Sequence, residues 1–287
     1  MMMKKFWALF LAAAMLLTTA CSGSGASSAA SSTASSAADS AASSSAAESS
    51  AASSGVLDQI KANGVLKVGV KADVPGFGLQ NTSTGEFEGF EIDLAKKLAE
   101  AILGDPEAIS LQAVTAKTRG PLLDTGELDM VIATFTITEE RKLTYNFSQP
   151  YYTDAVKLMV KKDSGITGLK DMDGKTIGVA QSATSREILQ AAADELGIKV
   201  SFNEYPTYPE IKTALDSGRV DCFSVDGSIL GGYVDDTTVI LDETYAPQEY
   251  GVTTRLDATD LAEFVDDFIG QLKESGELDE MIAAWNL

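Results

Sequence analysis

A polar segment at 181–184 (QSAT) has the features of an anion-binding helix start. It lies between a predicted strand and a predicted helix. The free N–H groups and the positive dipole end at a helix N-terminus attract carboxylates. Thr184 could add its hydroxyl to such a site, although Ser182 or Thr184 could equally serve to cap the helix. The segment therefore predicts a carboxylate site or a capped helix start, and both roles can coexist.

A second polar run combines hydroxyls with a fixed positive charge. Thr134, Thr136 and Thr138 alternate along the chain, and Arg141 follows them. The planar guanidinium of an arginine can form two charge-assisted hydrogen bonds with one carboxylate. Taken alone, Arg141 is also compatible with a solvated arginine at a helix end.

The composition excludes several kinds of chemistry. None of the 287 residues is histidine, so Ser-His-Asp triads, Cys-His pairs and imidazole metal sites are excluded. The 42 acidic residues outnumber 22 lysines and arginines, and the net charge of −20 opposes binding to nucleic acid or to an anionic membrane surface. We expect neither a cofactor nor a metal. Cys222 lies in an apolar run, which predicts a buried thiol.

The first 54 residues predict an export signal and a tether. Residues 1–20 have a basic start and an apolar run of about twelve residues, typical of a signal peptide and short for a membrane span. A small residue directly before Cys21 resembles the bacterial lipobox, which implies cleavage before Cys21 and a diacylglycerol on its thiol. The rest of 21–54 is almost entirely serine and alanine, a composition that predicts a disordered tether.

Strands and helices alternate from residue 55 onward and would position the polar groups. The predicted strands are 65–70, 109–114, 130–133, 155–160, 176–180, 198–202 and 220–225, and the predicted helices are 90–103, 119–125, 184–196, 208–217 and 258–274. This rhythm predicts an α/β fold with mainly parallel sheets and ligand loops at the carboxyl ends of the strands. Because the rhythm occurs twice, we expect two lobes with a ligand cleft between them.

Four segments resemble those of a known family. They are 89–95 (GFEIDLA), 133–141 (ATFTITEER), 145–152 (YNFSQPYY) and 218–221 (GRVD), the last followed by Asp226. In this order and spacing they resemble the family 3 extracellular solute-binding proteins, which serve ABC transporters for polar amino acids. Segment 116–124 (AKTRGPLLD) is similar to the branch that binds aspartate or glutamate. The resemblance implies a bilobal periplasmic-binding-protein-like fold (type II), with two α/β lobes joined by a two-strand hinge.

The resemblance also implies roles for individual residues. Arg141 matches the arginine that grips the ligand α-carboxylate, and Asp226 matches the aspartate that pairs with the ligand ammonium. Arg119 and Lys71 stand where binders of acidic ligands carry cations. Further ligand contacts are expected from Thr134, Thr136, Thr184 and Tyr250. Taken singly, Arg119 or Lys71 could be a surface charge, and Asp226 could cap the following helix.

These roles predict a lipid-anchored, extracytoplasmic binding protein that delivers an acidic amino acid to an ABC importer. We expect a monomer whose partners are the permease and its ATPase subunit, with the lipid as its membrane contact. Lobe 1 is predicted to comprise 55–153 plus 249–287, and lobe 2 to comprise 154–248. Three alternatives stay open: a binder of glutamine or cystine, an enzyme like the cyclohexadienyl dehydratase on this fold, and a surface adhesin or signalling co-receptor.

Overall fold

A computed structural model of the protein describes residues 55–287. The predicted signal peptide (1–20), the predicted lipid at Cys21 and the predicted tether (21–54) lie outside the described residues. Within the described part, none of the helices combines the length and the apolar character needed to cross a membrane.

The first half of the described chain contains short strands around a long helix. The elements are α1 (Val56–Asn63), β1 (Leu66–Val70), β2 (Asp73–Val74), β3 (Gly78–Gln80), β4 (Phe87–Glu88), α2 (Phe90–Leu103), β5 (Ile109–Ala113), α3 (Arg119–Asp124), β6 (Met130–Ile132), α4 (Glu139–Lys142) and β7 (Tyr145–Phe147). Strands β2, β3 and β4 form a small antiparallel sheet of their own.

The second half builds a larger sheet and then returns to the first. The elements are β8 (Tyr152–Lys161), a 3-10 turn (Leu169–Met172), β9 (Thr176–Ala180), α5 (Ser185–Leu196), β10 (Ser201–Tyr205), α6 (Tyr208–Asp216), β11 (Cys222–Asp226), α7 (Gly227–Gly231), β12 (Thr238–Ile240), β13 (Tyr245–Tyr250), β14 (Thr253–Arg255), α8 (Thr259–Ser275) and α9 (Glu277–Ala284).

Two main sheets define the lobes. The five-stranded sheet has the order β5-β1-β6-β14-β7, and the six-stranded sheet has the order β10-β9-β11-β8-β12, with β13 also paired to β8. The chain leaves the first sheet after β7 and returns to it through β13 and β14. Strands β8 and β13 pair with Tyr152 opposite Tyr250, so two adjacent strands connect the sheets. The predicted bilobal α/β fold with a two-strand hinge is confirmed; lobe 1 and lobe 2 below are the parts built on the first and second sheet.

The prediction of mainly parallel sheets is wrong. Strand β1 is parallel to β5 and β6, and β9 is parallel to β10 and β11, but the other strand pairs are antiparallel. Apolar runs identify strands without reporting their direction. Strand β8 runs antiparallel to β11 in the second sheet, and strand β14 runs antiparallel to β6 in the first.

One predicted strand forms three residues later than expected. The run at 198–202 predicted a strand, whereas β10 begins at Ser201. Gly197 ends α5 in the left-handed conformation, and the Ile198 N–H donates to the Ala193 carbonyl (3.1 Å). Residues after Gly197 therefore close the helix before the strand can begin.

The apolar face predicted for α2 is confirmed. Its members are buried: Ile92, Ala95, Leu98, Ala99 and Ile102. The helix packs on β1 and β6, and its last turn ends at Gly104 in the left-handed conformation. Cys222 is also buried, as predicted, and burial raises the pKa of its thiol.

Candidate ligand-binding site

Arg119 places a buried guanidinium at the first residue of α3. Only 3% of the residue is exposed, and its Nη1 donates hydrogen bonds to the carbonyls of Ala133 (2.6 Å) and Thr134 (3.0 Å). Its Cζ lies 3.8 Å from the centroid of the Phe135 ring. Among the residues that the structure describes, its Nε has no hydrogen-bond partner. A buried donor left unpaired costs about 1–3 kcal/mol, so this nitrogen favours an acceptor in the cleft.

Arg141 approaches the same ring from α4. The Thr138 hydroxyl accepts a hydrogen bond from the Arg141 backbone N–H (3.1 Å) and so caps this short helix. The guanidinium donates to the carbonyl of Thr136 (2.8 Å) and, across the cleft, to the carbonyl of Ser182 (3.2 Å). Its Cζ lies 4.9 Å from the Phe135 centroid. Arg141 therefore contacts both lobes.

The two arginines form a pair of positive charges around one phenyl ring. Burial, followed by the charge of Arg119, lowers the pKa of Arg141 to about 9. Burial also lowers the pKa of Arg119. Among residues 55–287, neither guanidinium forms an ion pair with a carboxylate. An anion bound beside Phe135 would reduce their mutual repulsion.

Lys71 follows β1 and is 2% exposed. Its Nζ forms an ion pair with Asp73 at 2.9 Å and lies 4.6 Å from the centroid of the Tyr208 ring. Burial lowers the pKa of Lys71, and the charge of Asp73 acts in the opposite direction. Asp73 Oδ2 also accepts from the Tyr208 backbone N–H (3.2 Å) at the start of α6, and the Tyr233 hydroxyl donates to the Asp73 carbonyl. The charge of Lys71 is thus compensated within a contact between the lobes.

Asp226 and Tyr250 form a hydrogen-bonded pair beside the hinge. The Tyr250 hydroxyl donates to Asp226 Oδ2, and both residues are buried. Burial raises the pKa of Asp226 to about 7, although the hydrogen bond from Tyr250 opposes that effect. Helix α7 follows Asp226, but it is Asp154 that accepts from the Ser228 N–H (2.9 Å) in its first turn. The carboxylate of Asp226 is therefore directed at Tyr250 instead of capping α7.

Gln248 connects threonine hydroxyls from the two lobes. Its Oε1 accepts hydrogen bonds from Thr136 (3.0 Å) and from Thr184 (2.7 Å). The Thr184 hydroxyl is thereby engaged across the cleft instead of capping α5. Thr134 has a φ of 44°, and its buried Oγ1 has no partner in the described part of the chain. Thr134 Oγ1 and Arg119 Nε are thus two buried polar atoms with unused hydrogen-bonding capacity.

A cavity of about 370 Å³ opens beside Arg141. It is lined by Thr138, Glu140, Arg141, Thr144, Tyr145, Ser182, Ala183, Thr184 and Glu187. Ser182 has a φ of 61°, a conformation that non-glycine residues rarely adopt. The cavity is thus lined both by α4 of lobe 1 and by the predicted carboxylate segment, 181–184, of lobe 2.

The predicted site residues are connected by direct contacts and by the effects of their charges on one another. Arg119, Thr134, Thr136 and Arg141 are close to Phe135, and Thr184 reaches them through Gln248. The pKa of Asp226 responds to the charges of Arg119 and Arg141, and that of Lys71 responds to Arg119. Tyr250 contacts Asp226 directly. The contacts that each residue makes with a ligand stay predictions.

Three residues of this cleft do not follow from the sequence reasoning: Glu91, Phe135 and Gln248. Glu91 lies in segment 89–95 and is fully buried. Its burial could have been inferred from the sequence, because Leu94 and Leu98, three and seven residues later, place apolar side chains on the same helix face. Gln248 gives no local signal, because its role depends on how β13 crosses between the lobes.

Comparison with known proteins gives matches to solute-binding proteins. Residues 66–184 match the family described as bacterial extracellular solute-binding proteins, family 3, and residues 146–257 match the NMT1/THI5-like family. A glutamine-binding protein of Geobacillus stearothermophilus is 43% identical over 202 residues, which cover 69% of this chain and 76% of the relative. The chain belongs to family 3 of the bacterial extracellular solute-binding proteins. Proteins of this kind that serve amino-acid ABC importers work outside the cytoplasm.

Other relatives of this solute-binding protein carry amino-acid names. The ABC transporter glutamine-binding protein GlnH of Bacillus subtilis is 36% identical over 80% of this chain and 84% of the relative. A mutant of ArgBP from T. maritima superposes with a TM-score of 0.72 at 31% identity, covering 80% of this chain and 98% of that chain. An ancestral amino-acid-binding protein, AncCDT-1, described as a precursor of cyclohexadienyl dehydratase, gives 0.71 at 29% identity over 81% and 99%. The chain is therefore an amino-acid solute-binding protein of the type II fold.

Proposed function

We propose that this solute-binding protein takes an acidic amino acid, aspartate or glutamate, between its lobes. A zwitterionic amino acid needs one cation and one anion, and an acidic one needs a further cation. The supporting observation is that Arg119 and Arg141 lie over the same Phe135 ring, and neither is ion-paired within residues 55–287. Two unpaired guanidiniums favour a ligand with two carboxylates.

Each charged group of the ligand has a candidate partner. We assign the α-carboxylate to Arg141 and to the N–H groups at 181–184 beside Thr184. The ammonium is assigned to Asp226, which Tyr250 orients. The side-chain carboxylate is assigned to Arg119 Nε and Thr134 Oγ1, with Thr136 nearby and Lys71 as a more distant charge.

Closure of the lobes would complete this site. In the proposed sequence, the ligand first binds lobe 1 (55–153 plus 249–287), and lobe 2 (154–248) then closes over it. Thr184 and Asp226 arrive with lobe 2, while Arg119 and Arg141 already hold the carboxylates. A ligand that contacts both lobes shifts the population toward the closed state.

Glutamine is the second candidate, because two relatives are named glutamine-binding proteins. A glutamine side-chain carbonyl could accept a hydrogen bond from Arg119, but it would leave that buried cation without a counter-charge. A hydrogen bond with a charged partner is about twice as strong as one between neutral groups. A comparison of the affinities for glutamate and glutamine therefore distinguishes the two candidate functions.

The decisive variant is Arg119→Met, which keeps an unbranched side chain and removes the charge. We expect glutamate or aspartate affinity to fall by at least about thirtyfold, while glutamine affinity changes less, since truncating a buried charged pair costs about 2–5 kcal/mol. Arg219→Met is the matched control, because Arg219 is exposed on lobe 2. Equal losses for the acid and its amide, measured by calorimetric titration, would assign Arg119 a structural role.

The tether and partners complete the proposal. We propose a monomer that is lipid-anchored at Cys21, carries a Ser/Ala-rich tether and delivers its ligand to a permease with an ATPase subunit. Replacing Cys21 by serine is expected to move the protein from the membrane fraction to the soluble fraction.

We assign Asp226 to ammonium binding and not to general acid catalysis, and release of an aromatic product from arogenate would favour the dehydratase alternative. Signalling without import would favour a co-receptor.

A further inference from the structure

A fully buried carboxylate, that of Glu91, lies behind the cleft at the second residue of α2. Its Oε1 accepts two hydrogen bonds of 2.6 Å, from the Thr134 backbone N–H and from the Tyr151 hydroxyl. Its Oε2 is buried and has no partner in the described chain. Glu91 therefore holds residues from two other segments of lobe 1 at a single oxygen.

The link from Glu91 to Arg119 passes through one strained residue. Thr134 has a φ of 44°, a conformation that persists in a non-glycine residue only where the surroundings fix it. Its N–H bonds to Glu91, and its carbonyl accepts from Arg119 Nη1 (3.0 Å). The carboxylate thus holds the backbone turn that fixes one end of the Arg119 guanidinium.

Charges from several elements act on Glu91. Burial raises its pKa to about 7, against the hydrogen bonds from Tyr151 and Thr134 and the charges of Lys71 and Arg119. Three of the other four charged groups of α2 bond elsewhere, and the fourth, Glu100, is exposed. Asp93 accepts from the Trp285 indole N–H (2.8 Å), Lys96 pairs with Glu107 at 2.9 Å, and Lys97 pairs with Glu277 on α9. The charge of Glu91 therefore changes near neutral pH, beside the two cations predicted to set selectivity.

We propose that Glu91 is a positioning and specificity-determining residue, which holds the Thr134 turn against Arg119 and whose charge weakens the preference of the site for an acidic ligand over its amide. This inference rests on the proposed function. An ionised Glu91 competes for the positive potential of Arg119 and repels a second carboxylate there. A ligand with a neutral side chain experiences little of this repulsion.

The test is a titration of glutamate and glutamine at pH 6 and pH 8 with the purified full-length chain, freed of ligand by unfolding and refolding. For the wild type, we expect the ratio of glutamate affinity to glutamine affinity to fall by about threefold or more between pH 6 and pH 8. In Glu91→Gln the ratio stays constant, because the amide keeps an acceptor for Thr134 and Tyr151 but carries no charge. Both ligands carry the same ammonium, so its direct contact with Asp226 contributes equally to the two affinities.

Two further variants separate positioning from charge. Glu91→Ala removes the acceptor, and we expect both ligands to lose at least about tenfold in affinity, which Glu91→Gln restores. Glu100→Gln removes one exposed carboxylate from the same helix and is expected to behave as the wild type.

The failures are distinguishable. A wild-type chain that binds glutamine but no acidic amino acid overturns the proposed function, and with it the selectivity that Glu91 would modulate. A wild type that binds both ligands, with a ratio that Glu91→Gln leaves equally pH-dependent, overturns the inference alone. If a folded Glu91→Ala variant bound both ligands with wild-type affinity, the proposed positioning role of Glu91 would be overturned.

Discussion

Lys71 and Asp73 form an ion pair at 2.9 Å at the edge of the cleft, where Asp73 also accepts a hydrogen bond from the first residue of α6. The cation that follows β1 is therefore already compensated. Arg119, in contrast, hydrogen-bonds to backbone carbonyls and keeps a buried Nε without a partner in the described chain. Of the two cations predicted to select an acidic ligand, Arg119 is the one without an ion-pair partner within residues 55–287, and its Nε is available to donate a hydrogen bond to a ligand.

The ion pair predicts that Lys71 acts mainly on Asp73. Lys71→Met leaves the partly buried carboxylate of Asp73 uncompensated beside the site, so we expect glutamate affinity to fall by about tenfold or more. Adding Asp73→Asn removes that charge while keeping an acceptor for Tyr208, and the double variant is expected to return to within about threefold of the wild type. Calorimetric titration of the three chains checks this. A double variant as weak as Lys71→Met would assign Lys71 to the ligand itself.

The buried carboxylate of Asp226 predicts that ligand affinity rises with pH. Its pKa is raised to about 7, and a ligand ammonium stabilises the ionised form, so binding releases a proton. In the Glu91→Gln background, which removes the opposing charge, we expect affinity to rise by about tenfold between pH 6 and pH 8. Asp226→Asn should bind weakly and without this slope. Parallel slopes with and without Asp226 would exclude it as the ammonium partner.

The hydrogen bonds of Gln248 predict a contribution to closure. Its Oε1 accepts from Thr136 in lobe 1 and from Thr184 in lobe 2. Gln248→Leu removes both bonds at similar volume, and we expect ligand affinity to fall about thirtyfold, since each bond contributes about 1 kcal/mol. Thr184→Val removes one bond and should have an intermediate effect. X-ray scattering of the ligand-bound variants should detect a larger open fraction; unchanged affinity would show that the bonds do not favour closure.

The raised pKa of Glu91 predicts that the free energy of unfolding of the ligand-free protein depends on pH. Its pKa is raised from 4.5 to about 7 in the folded protein, so the stabilising effect of its proton is complete below pH 4.5 and is lost as pH rises through about 7. Each tenfold change in proton affinity corresponds to about 1.4 kcal/mol, so the loss amounts to about 3 kcal/mol. The free energy of unfolding in urea should therefore decline less from pH 5 to pH 8 in Glu91→Gln than in Glu100→Gln. Equal declines would mean that Glu91 does not titrate in this range.

Local sequence signals account for much of the fold. Helix α2 forms at the predicted residues, 90–103, because its apolar positions recur at helical spacing and Gly104 permits its left-handed end. Strand direction carries no such signal, so the antiparallel entry of β8 and β14 went unpredicted. The delayed start of β10 arises from the way Gly197 closes α5, a detail of backbone geometry.

The charged site residues were accessible from motifs, whereas their partners were not. The motif around Arg141 predicted a carboxylate site, but its approach to Phe135 depends on how residues 134–136 turn after β6. The Lys71–Asp73 pair and the bridge through Gln248 arise from tertiary contacts between the lobes. The family resemblance therefore singled out residues whose roles toward a ligand stay predictions, and the structure adds which of their charges are already compensated.

The most direct measurement is a calorimetric titration of the wild-type chain, freed of bound ligand, against aspartate, glutamate, asparagine and glutamine. The two arginines beside Phe135, which have no carboxylate partner within residues 55–287, predict that an acidic amino acid binds at least about tenfold more tightly than its amide at pH 7. One extra charge-assisted contact contributes about 1.5–3 kcal/mol. Tighter binding of glutamine or asparagine would contradict the acidic specificity, and the chain would remain an amino-acid solute-binding protein whose second arginine serves a neutral side chain.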